Sequence, residues 1–452
     1  MAKKKTLKIT VLVIVTAAVL AIVLYLNSLM PIITGYAAKH LCSDVFISGR
    51  NPDDPEALDL SFSFIKYNRY KVNYDEKSVT ARFLWGKSKA IYRDGFGATL
   101  VRDTSEEDLR KVRFPRGTDP GYSRDTIKWP LGDMIPDTAT GINMQKVREI
   151  SKKVIEENAY NGNIFAFLVM HKGVPVLESY KPRFDKNTRF ISWSMAKSFT
   201  NALIGIMVKK DMIDVSQPAG LKEWQNDERS KITLNDLLHM ESGLEWNEDY
   251  GNRSDVTVML HSKSDMGLYA FGKKLKYEPG TYWQYSSGTT NIVSDIIQRK
   301  FNSDSAYYAF ARNELFNRIG MPDAVFETDP SGTFVGSSYL FATARDYARF
   351  AYLFMHDGVF NGERILPEGW VKYSTTPASA SKGQYGAFFW LNQGGKIPDA
   401  PRDMFRCDGH DGQFIAMFPS QDLAVIILGY SPSSKGGVNL GGLLLDVLSA
   451  VK

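Results

Sequence analysis

One segment limits what this chain can fold into more than any other. From Ile9 to Leu26 the residues are almost entirely aliphatic and carry no charge, and Lys3, Lys4, Lys5 and Lys8 stand in front of them. A lone segment of this kind can satisfy its backbone away from water only as a helix. Eighteen residues rising 1.5 Å each span about 27 Å, close to the thickness of a hydrocarbon layer. The run stays uncharged through Ala38, longer than the apolar core of about 7–15 residues in a cleaved signal. Residues 1–30 therefore read as an uncleaved membrane anchor. The lysines hold the N-terminus in the cytoplasm, which places the remainder in the periplasm or outside the cell.

That remainder is too long for one typical core. With 44% hydrophobic residues in 452, it reads as globular, one large domain plus something smaller. The net charge of +5 is dispersed, with no long Lys/Arg block beyond the first eight residues, which argues against a nucleic-acid partner. Short β-prone runs, Leu60–Ile65 and Ser78–Leu84, suggest a small strand-containing segment. Prolines at 115, 120, 130 and 136 among Gly and Asp then read as a linker. This divides the chain into an anchor at 1–30, an extension and linker at 31–140, and a main domain at 141–452. Two cysteines, Cys42 and Cys407, allow one disulfide or two unrelated buried thiols.

In the main domain Met144, Val147, Ile150, Val154 and Ile155 recur at helical spacing. Ile164–Met170 and Val174–Tyr180 flank the turn His171-Lys172-Gly173. Near the end, Phe414–Phe418 and Leu423–Leu428 flank Pro419-Ser420-Gln421-Asp422, and Leu440–Val451 is apolar enough for a closing helix. The expected fold class is α+β: early and late strands share an antiparallel sheet, flanked by the first and last helices.

Ser-x-x-Lys occurs four times, at Ser63/Lys66, Ser194/Lys197, Ser379/Lys382 and Ser449/Lys452. The first falls in a strand reading, where i and i+3 face apart. The third lies in an Ala/Ser-rich loop and the fourth at the terminus. Only Ser194 opens an amphipathic helix, with Met195, Phe199, Ala202, Leu203, Ile206 and Met207 on its apolar face. There Ser and Lys share a face, and the helix start offers N–H groups to a developing oxyanion. A lysine with a lowered pKa can then activate the serine. Tyr285-Ser286-Ser287, leading into the helix Ile292–Ile297, adds a phenol able to shuttle protons. His410-Asp411-Gly412-Gln413 precedes the strand at Phe414, where a small residue admits substrate backbone and the Gln413 N–H joins that of Ser194 as an oxyanion donor. A second His-Asp-Gly, at 356–358, reads as the stop of the helix Thr343–Phe354. His171, His239 and His261 lack metal-ligand spacing, and no Gly-x-Ser-x-Gly elbow surrounds Ser194.

The run Phe190–Thr200 around Ser194, the Tyr285-Ser286-Ser287 element and the His410-Asp411-Gly412 element resemble, in order, the three motifs of serine β-lactamases, penicillin-binding proteins and their esterase relatives. Residues 232–244 and 336–343 resemble supporting segments of the same superfamily. The neighbourhood of Ser194 and the long extension are most similar to the 6-aminohexanoate-dimer hydrolase type. The resemblance covers about 142–452 and implies a serine β-lactamase-like fold, with an all-helical subdomain carrying the Ser-x-x-Lys helix. It implies Ser194, Lys197 and Tyr285 as catalytic residues, with Ser287, His410, Gly412 and Tyr250 touching substrate and no metal or cofactor. Ser287 and His410 stand where many relatives have Asn and Lys. An imidazole is a weaker anchor for a carboxylate at neutral pH than an ammonium. The expectation is a membrane-anchored serine hydrolase forming an acyl-enzyme on small amides, esters or short peptides. The alternative is a penicillin-binding-protein-like binder or sensor with little turnover.

Overall fold

The computed structural model describes residues 2–115, 121, 123–136 and 140–451, with side chains from Lys5 onward. Pro120, Lys452 and the side chains of Lys3 and Lys4, all used above, lie outside the described residues. Helix α1 runs unbroken from Ala2 to Phe46. Its first half stands clear of the rest, with large apolar side chains from Leu7 to Tyr25 between 46% and 65% exposed. A soluble core helix would bury such residues, and none of the most apolar window is covered. From Met30 the same helix is buried.

The buried half of α1 is wrapped by a four-stranded antiparallel sheet ordered β1-β2-β3-β4, with β1 Arg69–Asn73, β2 Ser78–Phe83, β3 Gly86–Arg93 and β4 Gly97–Leu100. Residues 60–65, expected as a strand, instead form turns ahead of a short 3₁₀ helix at Ile65–Tyr67, with Ser63 at φ +44°. A backbone in that region cannot stay extended. Ile33, Ala37 and Leu41 join Val79, Ala81 and Ala90, and then Phe199 and Ile204, in one continuous core. Deeper in, Lys39 Nζ donates to Glu327 Oε2 at 2.5 Å, while Ser43 Oγ and the Ala98 N–H donate to Glu327 Oε1.

The larger sheet is built as expected from both ends of the main domain. Helix α2 is Met144–Ile155, strand β5 Asn163–His171, β6 Val174–Tyr180 and β7 Phe190–Ile191. A short 3₁₀ turn at Trp193–Met195 leads into α3, Ala196–Lys209. There follow α4 Ser287–Gln298, β8 Val325–Phe326, β9 Leu340–Ala342, α5 Ala344–Met355 and β10 Trp390–Leu391. The chain ends with β11 Phe405–Gly409, β12 Gln413–Phe418, β13 Leu423–Tyr430 and α6 Leu440–Leu448. The sheet order is β10-β11-β12-β13-β5-β6, antiparallel throughout. Val147 and Ile150 of α2 and Leu443 and Leu444 of α6 share a core on one face, and α5 packs on the other.

One further expectation changes, and the open cysteine alternative is resolved. The part carrying α3 is not wholly helical, because a small sheet ordered β7-β9-β8 frames the approach to Ser194. The disulfide left open above is not formed: Cys42 and Cys407 are both buried and free. Cys42 packs on α1 beside Val79, whereas Cys407 on β11 meets Ser198 of α3, so each thiol has its own neighbour.

Candidate active site

The chain turns sharply just before Ser194. Trp193 takes φ +46°, a strained region for a bulky residue. Ser194 then sits in the 3₁₀ turn ahead of α3, half-buried, where backbone N–H groups have no acceptor within the helix.

Lys197, one turn on, is 1% exposed. Its Nζ lies 3.0 Å from each of three oxygens: Ser194 Oγ, Ser287 Oγ and the Ser337 carbonyl. Burial pulls this lysine down from 10.5 to about 8, with Glu248 opposing the shift. The lysine is thus within reach of the neutral form a general base requires.

Glu248 was not singled out from sequence, although it lies two residues before Tyr250. The Ser287 hydroxyl donates to Glu248 Oε1 at 2.5 Å, and the Ser287 N–H to Oε2 at 2.9 Å. Trp246 Nε1 donates to Oε2 as well, at 2.5 Å. Because the Ser287 proton points to Glu248, its lone pairs face Lys197. Ser287, expected to touch substrate, is fully enclosed between these two groups.

Tyr285 lies close enough to Ser194 for the serine to act on its phenol, and Lys197 Nζ lies 4.8 Å from its ring centroid. Burial, then Tyr385 and Glu248, push the phenol well above its ordinary 10, so it is held neutral. The ring stacks on Trp390 with centroids 5.3 Å apart.

His410 and Tyr250 pack together on Trp193, the residue before Ser194. Their rings stack at 4.5 Å, and each meets Trp193 edge-on. His410 Nε2 lies 3.3 Å from Asp411 Oδ1. Behind Trp193 stands α1, whose His40 ring packs 4.8 Å from the indole and whose Tyr36 ring lies 6.4 Å away. Nothing in the sequence pattern ties these N-terminal residues to the site.

The third element keeps His410 beside Trp193, while the close glycine approach comes from three residues before Gly412. A Cβ at Gly409 would lie 2.3 Å from the Ser192 carbonyl, so it is Gly409, at the end of β11, that approaches the Ser194 turn. Gly412, at φ +88°, packs on Ser431 instead. Gln413 is paired across from Gly409, and its side chain bonds the Gly429 backbone in both directions.

The chain and its fold have relatives. The 6-aminohexanoate-dimer hydrolase of Paenarthrobacter ureafaciens is 24% identical over 320 residues, covering 63% of this chain and 78% of its own. A Bacillus anthracis structure carrying the 6-aminohexanoate-dimer hydrolase name has a TM-score of 0.56 at 22% identity, over 75% of this chain and 87% of its own. A penicillin-binding protein homologue from Caulobacter crescentus has a TM-score of 0.52 at 15% identity, over 70% and 96%. The fold is the α+β fold of serine β-lactamases and penicillin-binding proteins. The beta-lactamase family profile matches residues 158–443, more than half the length, and the chain belongs to that family.

Proposed function

We propose that the chain is a membrane-anchored, extracytoplasmic serine hydrolase that cleaves small amides, esters or short peptides through an acyl-enzyme on Ser194. In this reading residues 1–30 anchor, 31–140 form the extension and 141–452 the hydrolase unit. The observation that carries it is a buried lysine, drawn down to about 8, with its Nζ 3.0 Å from Ser194 Oγ.

Neutral Lys197 takes the Ser194 proton as Oγ attacks the carbonyl. The Ser194 N–H and an amide at the end of β11, where Gly409 abuts the turn, face the oxyanion. This second donor replaces Gln413, whose strand pairing sets it one strand further away. Tyr285, neutral in the free enzyme, gives its proton to the leaving nitrogen or oxygen and regains one from the Lys197 ammonium. Water, deprotonated by the same pair, then releases the acid and restores Ser194. The rings of Tyr250, His410 and Trp390 favour neutral substrates of modest size.

The test is mass spectrometry of the protein after a fluorophosphonate, a nitrophenyl ester and a penicillin. Labelling of Ser194 with ester turnover, both lost in Ser194→Ala, is the expected result. Equal labelling of that variant would refute the nucleophile, and a stable penicilloyl adduct without turnover of any substrate would favour a binding protein.

A further inference from the structure

We propose that the β2–β3 turn and the outer face of strands β1 to β3 form a second membrane contact, which rests the catalytic unit on anionic lipid headgroups. This rests on the anchor reading above and adds a partner to a surface that reading leaves unassigned.

The turn is apolar where water would favour polar residues. Leu84 and Trp85, at its tip, are 67% and 55% exposed. Phe64 and Tyr67, exposed to a similar degree, hold ring contacts of 6.1 and 6.4 Å with Phe83, the residue before the tip. Outside α1, four of the nine exposed large apolar side chains among the described residues gather at this one place.

The position of the tip identifies the partner. Trp85 Nε1 donates to Asn27 Oδ1 at 3.2 Å, and a Cβ on Gly86 would touch Met30. Asn27 is the first polar residue after the uncovered apolar run of α1 ends. The tip therefore lies at the level where the helix leaves the hydrocarbon. Trp and Tyr are enriched at that level in membrane proteins, since an amphipathic ring suits the boundary.

The charge pattern selects the lipid. Strand register sets Arg69 directly opposite Arg82, and Arg82 directly opposite Lys87. Like charges facing one another across strands destabilise a sheet, and all three are exposed. The inner face of the same strands, with Val79, Ala81 and Ala90, is packed on α1. A row of cations beside an apolar tip, next to a membrane-length helix, is the combination that holds interfacial segments on anionic bilayers.

The experiment uses the full-length chain in vesicles containing phosphatidylglycerol, with a nitroxide on Leu84→Cys or, separately, on Val15→Cys. Cys42 and Cys407 are buried and leave the introduced thiol as the accessible one. The Leu84 label is expected in the headgroup layer, shielded from a water-soluble nickel relaxant and open to oxygen, with the Val15 label deeper. Reversing Arg69, Arg82 and Lys87 to Glu should release the tip into water, each charge changing the bound-to-free ratio by about fivefold. A Val15 label in the hydrocarbon with a Leu84 label in water would overturn this contact and leave the anchor standing. A Val15 label in water would overturn the anchor and the contact with it. Depth at Leu84 unaffected by charge reversal would refute the assignment to anionic lipid.

Discussion

Replacing Glu248 with Gln should move the acid limb of the rate profile to lower pH. Links of 3.0 Å from Lys197 to Ser287 and 2.5 Å from Ser287 to Glu248 place the carboxylate oxygen within 5.5 Å of the ammonium. At an effective dielectric of about 20, one charge at that distance is worth about 3 kcal/mol. Glu248 is partly open to solvent, which screens roughly half of this and leaves about one pH unit. Glu248 favours the protonated lysine, so its loss lowers the Lys197 pKa from about 8 toward about 7. The hydrogen bonds act in the same sense, because an amide nitrogen at 248 can donate to Ser287 and free the Ser287 proton for a neutral amine. At pH 7 the neutral fraction rises from roughly a tenth to roughly a half. The assay is kcat/KM for an uncharged nitrophenyl ester between pH 5 and 10, in wild type and Glu248→Gln. A limb near pH 8 that shifts down, with up to about fivefold more activity at pH 7, is expected. An unmoved limb, or one that shifts upward, would refute the coupling between Glu248 and the lysine.

Tyr285→Phe should separate leaving groups: amides, which need a proton delivered, lose about a thousandfold in kcat/KM, while activated esters lose far less. Equal losses on both would assign the phenol a structural role. Glu327→Gln leaves the Lys39 ammonium buried without its counter-charge, which costs on the order of 3–5 kcal/mol and should lower Tm by several degrees in a thermal melt. The double variant with Lys39→Met should recover part of that loss, and additive losses would exclude a direct pair.

Periodicity carried the sheet and its helices, because each is a local pattern with one buried face. Phe167 pairing with Ile427, across most of the main domain, followed from two hairpins that each needed a neighbour. The contact between Ser194 and Lys197 was legible for a related reason, since the two lie one helical turn apart and their spacing is set by the local turn itself. Contacts between distant segments left no such trace. Glu248 reaches Lys197 only through Ser287, and His40 reaches Trp193 only because α1 folds back into the core. Which glycine near the third element comes close to the Ser194 turn was not legible, for a physical reason. Both Gly409 and Gly412 suit close backbone approach, and only the strand register shows that Gly409 is the one beside Ser192.

The single rod of α1 has a consequence for how the chain matures. A leader that a peptidase removes must be dispensable to the folded product. The small residues after the apolar run, Gly35, Ala37 and Ala38, are where a peptidase would find a suitable sequence, and here all three are enclosed in the core. A cut after Ala38 would take away Tyr36, which packs near Trp193, and would put a new chain end beside Lys39 and its buried partner Glu327. Any cut that leaves this packing intact therefore has to fall ahead of Met30, where the helix becomes buried.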